Sequence, residues 1–454
     1  NNIAVADVVA GSGTTWTARY TANSSDTEGN ASFVISFSDT AGNAGTNVTA
    51  VTDGSSVLFD KTAPTLSTAI LRADNSDTTQ VSSASSGKVK LTIVANEEIT
   101  QPTVVFQSNG SAITDSTITY SGSGNSWTAT YDANSSDAEG AVSFNVAFNN
   151  GAGIAGTNVT AVTSAGTVAT DLTLPTLSSV GIASNNSTLN TLGINGNEVT
   201  LSFTSSEQLR VGNPSVAFTS GGVAVTDTSI LYSSTNNRTT WTAKYTVMAG
   251  DTGGVVGYTI NFKDRAENSG TAVTSGSGSV TIDRTVPTLS TVGIASNNST
   301  SSLAKVGNVV TLTIAANETI VQPVVIFSSG GAPITNSGAI TYGGSGSNWT
   351  AAYTTNASDT QGAITFSVVA TDLSGNAATV TSVTNSSSVT FDSTTPTLSG
   401  VSLASNNTPG LTTHAKVGHE VILSFTASEV IKTNPTVVFQ SGGAAITNSG
   451  AITY

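Results

Sequence analysis

One eight-residue pattern returns four times at a nearly constant interval, and that interval limits what the chain can fold into. Asp60 to Ser67 reads DKTAPTLS, and the pattern stands again as DLTLPTLS from Asp171, DRTVPTLS from Asp283 and DSTTPTLS from Asp392. Its prolines, Pro64, Pro175, Pro287 and Pro396, are 111, 112 and 109 residues apart. A second marker, Trp-Thr-Ala-x-Tyr, recurs from Trp16, Trp127, Trp241 and Trp349 with spacings of 111, 114 and 108. Two independent markers therefore keep one period. A period near 110 is too long for a solenoid coil of roughly 20–45 residues and fits a self-contained β-sandwich of about 100 residues. The repeats are expected as domains at 61–171, 172–283 and 284–392, with 1–60 the C-terminal half of one repeat and 393–454 the N-terminal half of another.

Composition selects the fold class. Only 9% of the 454 residues are charged, 37% are apolar, and Val, Ile and Thr outweigh the good helix formers, which predicts an all-β chain. Within 284–392, seven extended segments can be drawn: Thr288–Ala295, Asn308–Ala316, Val324–Ser328, Ala339–Tyr342, Trp349–Tyr353, Ile364–Ala370 and Val389–Phe391. Val310, Leu312, Ile314 and Ala316 alternate with Val309, Thr311, Thr313 and Ala315, a period of two that gives the strand one apolar face. Seven such strands with turn signals between them predict tandem immunoglobulin-like sandwiches, each about 35–45 Å long, arranged as an elongated string.

The D-x-T-x-P-T junction, the Glu that ends the second strand in ANE, SSE or ASE, and the loop DTAGN (Asp39–Asn43) or DLSGN (Asp372–Asn376) resemble the bacterial Ig-like (Big-type) tandem repeats of giant surface proteins and adhesins. The resemblance covers essentially the whole chain. It implies an extracellular or cell-surface setting, and a rigid shaft, filament or adhesin stalk in which the partners are neighbouring repeats of the same long chain or other copies in a filament.

Recurring acids are the candidate chemistry. In a seven-strand sandwich the loops after strands two, four and six face the preceding domain. Three kinds of recurrent acid fall on that side of a boundary, the junction Asp, the Glu ending strand two and the loop Asp after strand six, in the sets Asp60 with Glu97; Asp171 with Glu207 and Asp264; Asp283 with Glu318 and Asp372; Asp392 with Glu429. Carboxylates converging on a hinge repel unless a cation sits among them, and Ca²⁺ accepts six to eight oxygens with loose geometry. The same residues have a second reading without metal. The junction Asp then caps a turn before Thr-x-Pro, the loop Asp forms an Asx-turn, and the Glu is solvated. The first boundary departs from the pattern, because Asn150 and Ile154 replace the loop Asp and Asn.

Other functions find little support. There is no cysteine for a disulfide, a thiol nucleophile or Cys-ligated zinc, and a formal charge of −14 offers no basic stripe for nucleic acid. His414 and His419 share one partial repeat and read as loop variation; Gly343-Gly344-Ser345-Gly346 joins strands and precedes no helix. No apolar run reaches the ~18 residues of a membrane span. The alternation in Trp-Thr-Ala-x-Tyr places Trp with Ala and Tyr on a core face, beside Phe144, Phe262 and Phe366 of the sixth strands, and against a sugar-stacking platform. The reading is a non-catalytic structural or adhesive repeat region. Its alternative is a recognition module whose loops bind glycan or a cell-surface receptor. The two partial repeats overlap by nine residues, which suggests a window on a longer array, with Trp16, Tyr20, Phe33 and Phe37 lining a face that receives strands like those of 397–454.

Overall fold

The computed structural model describes residues 8–9, 13–75, 77–83, 87–115, 117–164, 166–212, 214–335, 339–446 and 452–453. Alternation in the sequence becomes alternation in burial. Along Lys88–Ala95, Val89, Leu91, Ile93 and Ala95 are buried while the residues between them are half-buried. Glu198–Ser205 repeats this with Val199, Leu201 and Phe203 inside. The described residues form strands and contain no α-helix, so no helix is long and apolar enough to cross a membrane.

The fold is all-β, a series of immunoglobulin-like sandwiches. The chain divides into two compact units, Asn1–Asp283 and Arg284–Tyr454. The first unit holds two full sandwiches. In one, Leu66–Ala73, Lys88–Ala95, Ser126–Asp132 and Thr119–Ser123 are adjacent in a four-stranded sheet. Its partner sheet runs Gln80–Val81, Ala169–Thr170, Gly140–Ala147, Thr103–Ser108, Ser111–Ala112. The next sandwich repeats this order with Leu177–Ser184, Glu198–Ser205, Thr240–Thr246 and Leu231–Thr235 facing Leu192–Gly193, Thr281–Ile282, Gly254–Asn261, Ser215–Ser220 and Val223–Ala224. The second unit contains the same arrangement, Leu289–Ser296, Val309–Ala316, Asn348–Thr354 and Thr341–Ser345 against a sheet that includes Val389–Phe391, Gly362–Thr371 and Val324–Ser329. It adds Ala377–Val380 beside Gly362–Thr371, a strand the sequence pattern did not indicate.

Each sandwich has its own core, built around one tilted aromatic pair: Phe106–Tyr131, Phe218–Tyr245 and Phe327–Tyr353, with ring centroids 4.8–4.9 Å apart. Trp241 is buried, and Trp127 and Trp349 are half-buried against their cores. Each indole N–H donates to a carbonyl three residues earlier, on Gly124, Arg238 or Gly346, so the Trp marker fixes the hairpin turn as well as the core. One expectation needs correcting. Phe262 lies just beyond Gly254–Asn261, and the residue in register with Phe144 and Phe366 is Tyr258, which faces Phe218 as they face Phe106 and Phe327.

The repeated octapeptide is also explained locally. One oxygen of Asp60, Asp171 or Asp392 accepts the N–H of the Thr two residues on, closing an Asx-turn. The proline holds the linker extended, the next Thr N–H is taken by Asn96, Ser206, Asn317 or Ser428, and the Ser sits at a β-bulge. Within residues 13–60, Trp16, Tyr20, Phe33 and Phe37 are exposed, as are Leu403 and Val421 in the last segment.

Candidate metal centre

The boundary between the first unit's two full sandwiches gathers acids from three places. Asp171 directly follows Ala169–Thr170, and its backbone N–H donates to Val81 O at 2.9 Å. Glu207 stands in the loop after Glu198–Ser205, where Ser205 Oγ donates to the Glu207 carbonyl at 2.5 Å and holds the turn. Asp264 heads the loop after Gly254–Asn261 and bridges to Leu209, which brings this loop against the one bearing Glu207. Oxygens of the three carboxylates lie within 4.8 Å of one another.

These groups are electrostatically uncomfortable. Asp264 is fully buried and its carboxyl is pushed up to about 6, by burial first and also by the charge of Asp171, against the hydrogen bonds that Asn268 donates. Glu207 is pushed up to about 7 by burial and then by the charges of Asp171, Asp264 and Glu139. Asp171 is raised by burial and by Glu139. Arg265, adjacent to Asp264 in sequence, does not relieve them. It reaches the preceding sandwich, 2.5 Å from Asp77 Oδ2 and 2.8 Å from Thr79 Oγ1.

The donors are all hard oxygens, with no imidazole or thiolate, a set suited to Ca²⁺ or Mg²⁺ and unsuited to zinc. Turn formation and metal binding are compatible here. Asp171 Oδ1 accepts Thr173 N–H at 3.2 Å, and Asp264 Oδ1 accepts Asn268 N–H at 2.8 Å, so each acid stiffens its own loop while a carboxylate oxygen of each still lies within 4.8 Å of the other acids. Asn268 Nδ2 donates to Asp264 Oδ2 at 2.8 Å and to the linker carbonyls of Asp171 and Thr173 at 2.9 and 3.3 Å. Sequence reading missed Glu139, whose carboxylate accepts Thr173 Oγ1–H at 3.0 Å from the other side of the linker. Its signal was the segment SDAEG, matched by SDTEG around Glu28.

The remaining candidates are placed as follows. At the first boundary Asp60 and Glu97 lie close enough for Asp60, after burial, to raise the Glu97 carboxyl, and Asn150 Nδ2 donates to Asp60 Oδ2 at 2.7 Å. Asp283 ends the first unit, its N–H donating to Gly193 O. In the second unit, Glu318 follows Val309–Ala316, while buried Asp372 bridges to Ile320 and accepts from Gly375, Asn376 and the Asn376 amide. Asp392 and Glu429 line one shallow groove with Gln361 and Thr394, and Gln361 Nε2 donates to Thr394 Oγ1 at 2.7 Å.

No family model and no curated protein matches the chain. Among solved structures it is similar to an I-band fragment of titin, at 10% identity over 74% of this chain and all of that one, with a TM-score of 0.29. It is similar also to tandem Ig repeats of Dlar, at 13% identity over 48% of this chain and 97% of that one (TM-score 0.15). A third similar structure is the N-terminal eight Ig domains of Down Syndrome Cell Adhesion Molecule, at 13% identity over 80% of this chain and 40% of that one (TM-score 0.22).

Proposed function

We propose that the chain is a non-catalytic structural or adhesive repeat region of a giant extracellular bacterial surface protein, a shaft or filament segment whose domains are 61–171, 172–283 and 284–392. Calcium sets its stiffness where three acids meet at a junction, with Asp171, Glu207 and Asp264 as the ligands at the second boundary. Its partners are neighbouring repeats and other copies of the same protein. The observation that carries the reading is the meeting of three carboxylates, one of them fully buried, on the linker between two sandwiches. A cation there joins the end of one sandwich (Asp171) to two loops of the next (Glu207, Asp264), which removes hinge freedom without any catalytic step. The test is calorimetric titration of the chelator-treated chain with Ca²⁺. Binding is expected, weakened at least tenfold in Glu207→Gln and lost from this site in Asp264→Asn. A parent chain that takes up no calcium would overturn the reading.

A further inference from the structure

Asn150 and Asp264 occupy one structural position in successive sandwiches. Each stands two residues after a buried phenylalanine, Phe148 or Phe262, and each is itself buried. The backbone N–H of each donates to a carbonyl four residues on, Asn150 to Ile154 at 3.0 Å and Asp264 to Asn268 at 3.1 Å. The Oδ1 of each accepts the N–H of that same residue at 2.9 and 2.8 Å. Each also bridges to the loop bearing the second-strand glutamate, through Ile99 or Leu209. The two loops thus share one backbone, and what differs is the atom presented to the linker.

In the first sandwich that atom is a donor. Asn150 Nδ2 gives its hydrogens to Asp60 Oδ2 at 2.7 Å and to Thr62 O at 3.1 Å. In the second sandwich the donor to the linker comes from four residues later, Asn268, which reaches Asp171 O and Thr173 O. Thr62 and Thr173 are the same position of the repeated octapeptide. Position 264 thereby carries a carboxylate, held by Asn268 at both oxygens, with an oxygen within 4.8 Å of those of Asp171 and Glu207. The residue matching Asn268 in the first sandwich is Ile154, which has no side-chain donor, so Asn150 does the binding of the linker itself.

We infer that this two-residue combination selects the kind of junction: Asn150 with Ile154 makes a joint closed by an amide and indifferent to divalent cations, whereas Asp264 with Asn268 makes one that requires the ion. The inference rests on the calcium reading above and adds which junctions obey it. An amide N–H pair fills the role of the cation at the first linker: it satisfies the Asp60 carboxylate and ties the loop to the linker carbonyl without an ion.

The test uses the full chain with Ca²⁺ as the probe. By calorimetry, Asn150→Asp/Ile154→Asn is expected to bind one more ion per chain than the parent, and Asp264→Asn/Asn268→Ile one fewer. A folded Asn150→Asp/Ile154→Asn variant with the parent's stoichiometry overturns the inference and leaves calcium binding intact. Absence of binding by the parent removes the calcium reading itself. A second measurement needs no variant. In the parent, amide exchange of residues 171–176 is expected to accelerate about tenfold or more on chelation, while that of residues 60–65 stays within about twofold. Equal acceleration at both linkers refutes the selection by residues 150 and 154.

Discussion

Without a bound cation, the sandwich of residues 172–283 is expected to lose stability as pH rises from 4 to 8. Asp264 has its carboxyl at about 6 in the fold against an ordinary 3.8, and Glu207 stands at about 7 against 4.5. A raised acid holds its proton more tightly folded than unfolded. Below the unfolded value both states are protonated and nothing is lost. Between the two values the folded state keeps a proton that the unfolded state has released, so the unfolding free energy falls with pH, and the loss is complete above the folded value. For fully buried Asp264, the gap between about 6 and 3.8, at 1.36 kcal/mol per pH unit, comes to about 3 kcal/mol. Half-buried Glu207 is screened by water and adds about 1 kcal/mol. Calcium at about 100 times its dissociation constant returns about 2.7 kcal/mol. The assay is urea unfolding of the chelator-treated chain followed by Trp241 fluorescence, with the other three tryptophans changed to Phe. The midpoint should fall across the window, and the fall should shrink in Asp264→Asn and with millimolar calcium. A midpoint that holds or rises from pH 4 to 8 in the metal-free parent would show that these acids do not strain one another.

Further tests address the packing around the site. Arg265→Ala and Asp77→Ala should couple by about 1 kcal/mol in a double-mutant cycle of thermal stability, since their contact joins two sandwiches; additivity within about 0.3 kcal/mol would refute the contact. Gly270→Ala would set a Cβ 2.0 Å from the Phe262 ring and should cost about 2–3 kcal/mol, with part recovered in Phe262→Ala/Gly270→Ala, because the third sandwich pairs Ala370 with Ala378 at those positions. Melting of Gly270→Ala at the parent's temperature would contradict that packing. Asp359→Ala leaves the N–H groups of Thr335 and Asn356 without their acceptor and should cost about 3 kcal/mol with or without calcium. Dependence of that cost on chelation would assign Asp359 a different role.

Much of the architecture was legible because it is periodic. Alternation located Val309–Ala316 and Gly362–Thr371, and the two recurring markers gave one register for four copies. The strand Ala377–Val380 escaped because its residues are small and lack alternation. Phe262 was aligned with Phe144 by residue type, although the cross-strand register pairs Tyr258 with that position. Recurrence of an acid was a weaker guide than recurrence of an apolar face. Asp137, Asp251 and Asp359 repeat as faithfully as the junction acids, yet they are buried to accept N–H groups inside their own sandwiches. What separates the two classes is whether other carboxylates stand beside the acid, as they do at Asp171, Glu207 and Asp264, and this depends on loops distant in sequence. Asp137 Oδ2 has the N–H of Asn134, whereas in Glu207 and Asp171 burial and like charge dominate.

The short parallel pairing in each sandwich bears on how a pull travels along the chain. Ala169–Thr170 runs parallel to Gln80–Val81, and the bonds are Ala169 N–H to Thr79 O and Asp171 N–H to Val81 O, each 2.9 Å. The same two bonds recur as Thr281 to Thr191 with Asp283 to Gly193, and as Thr390 to Ser302 with Asp392 to Ala304. When two parallel strands are drawn in opposite directions, their bonds are sheared together, whereas an antiparallel hairpin pulled at its open end is unzipped one bond at a time. The outer bond of each pair belongs to the junction aspartate. At Asp171 the main chain is therefore the first rung to receive tension from the linker, while its carboxylate meets Glu207 and Asp264 of the next sandwich. An ion held by that side chain would carry part of the tension past the linker, so the force at which a sandwich ruptures would follow the calcium concentration.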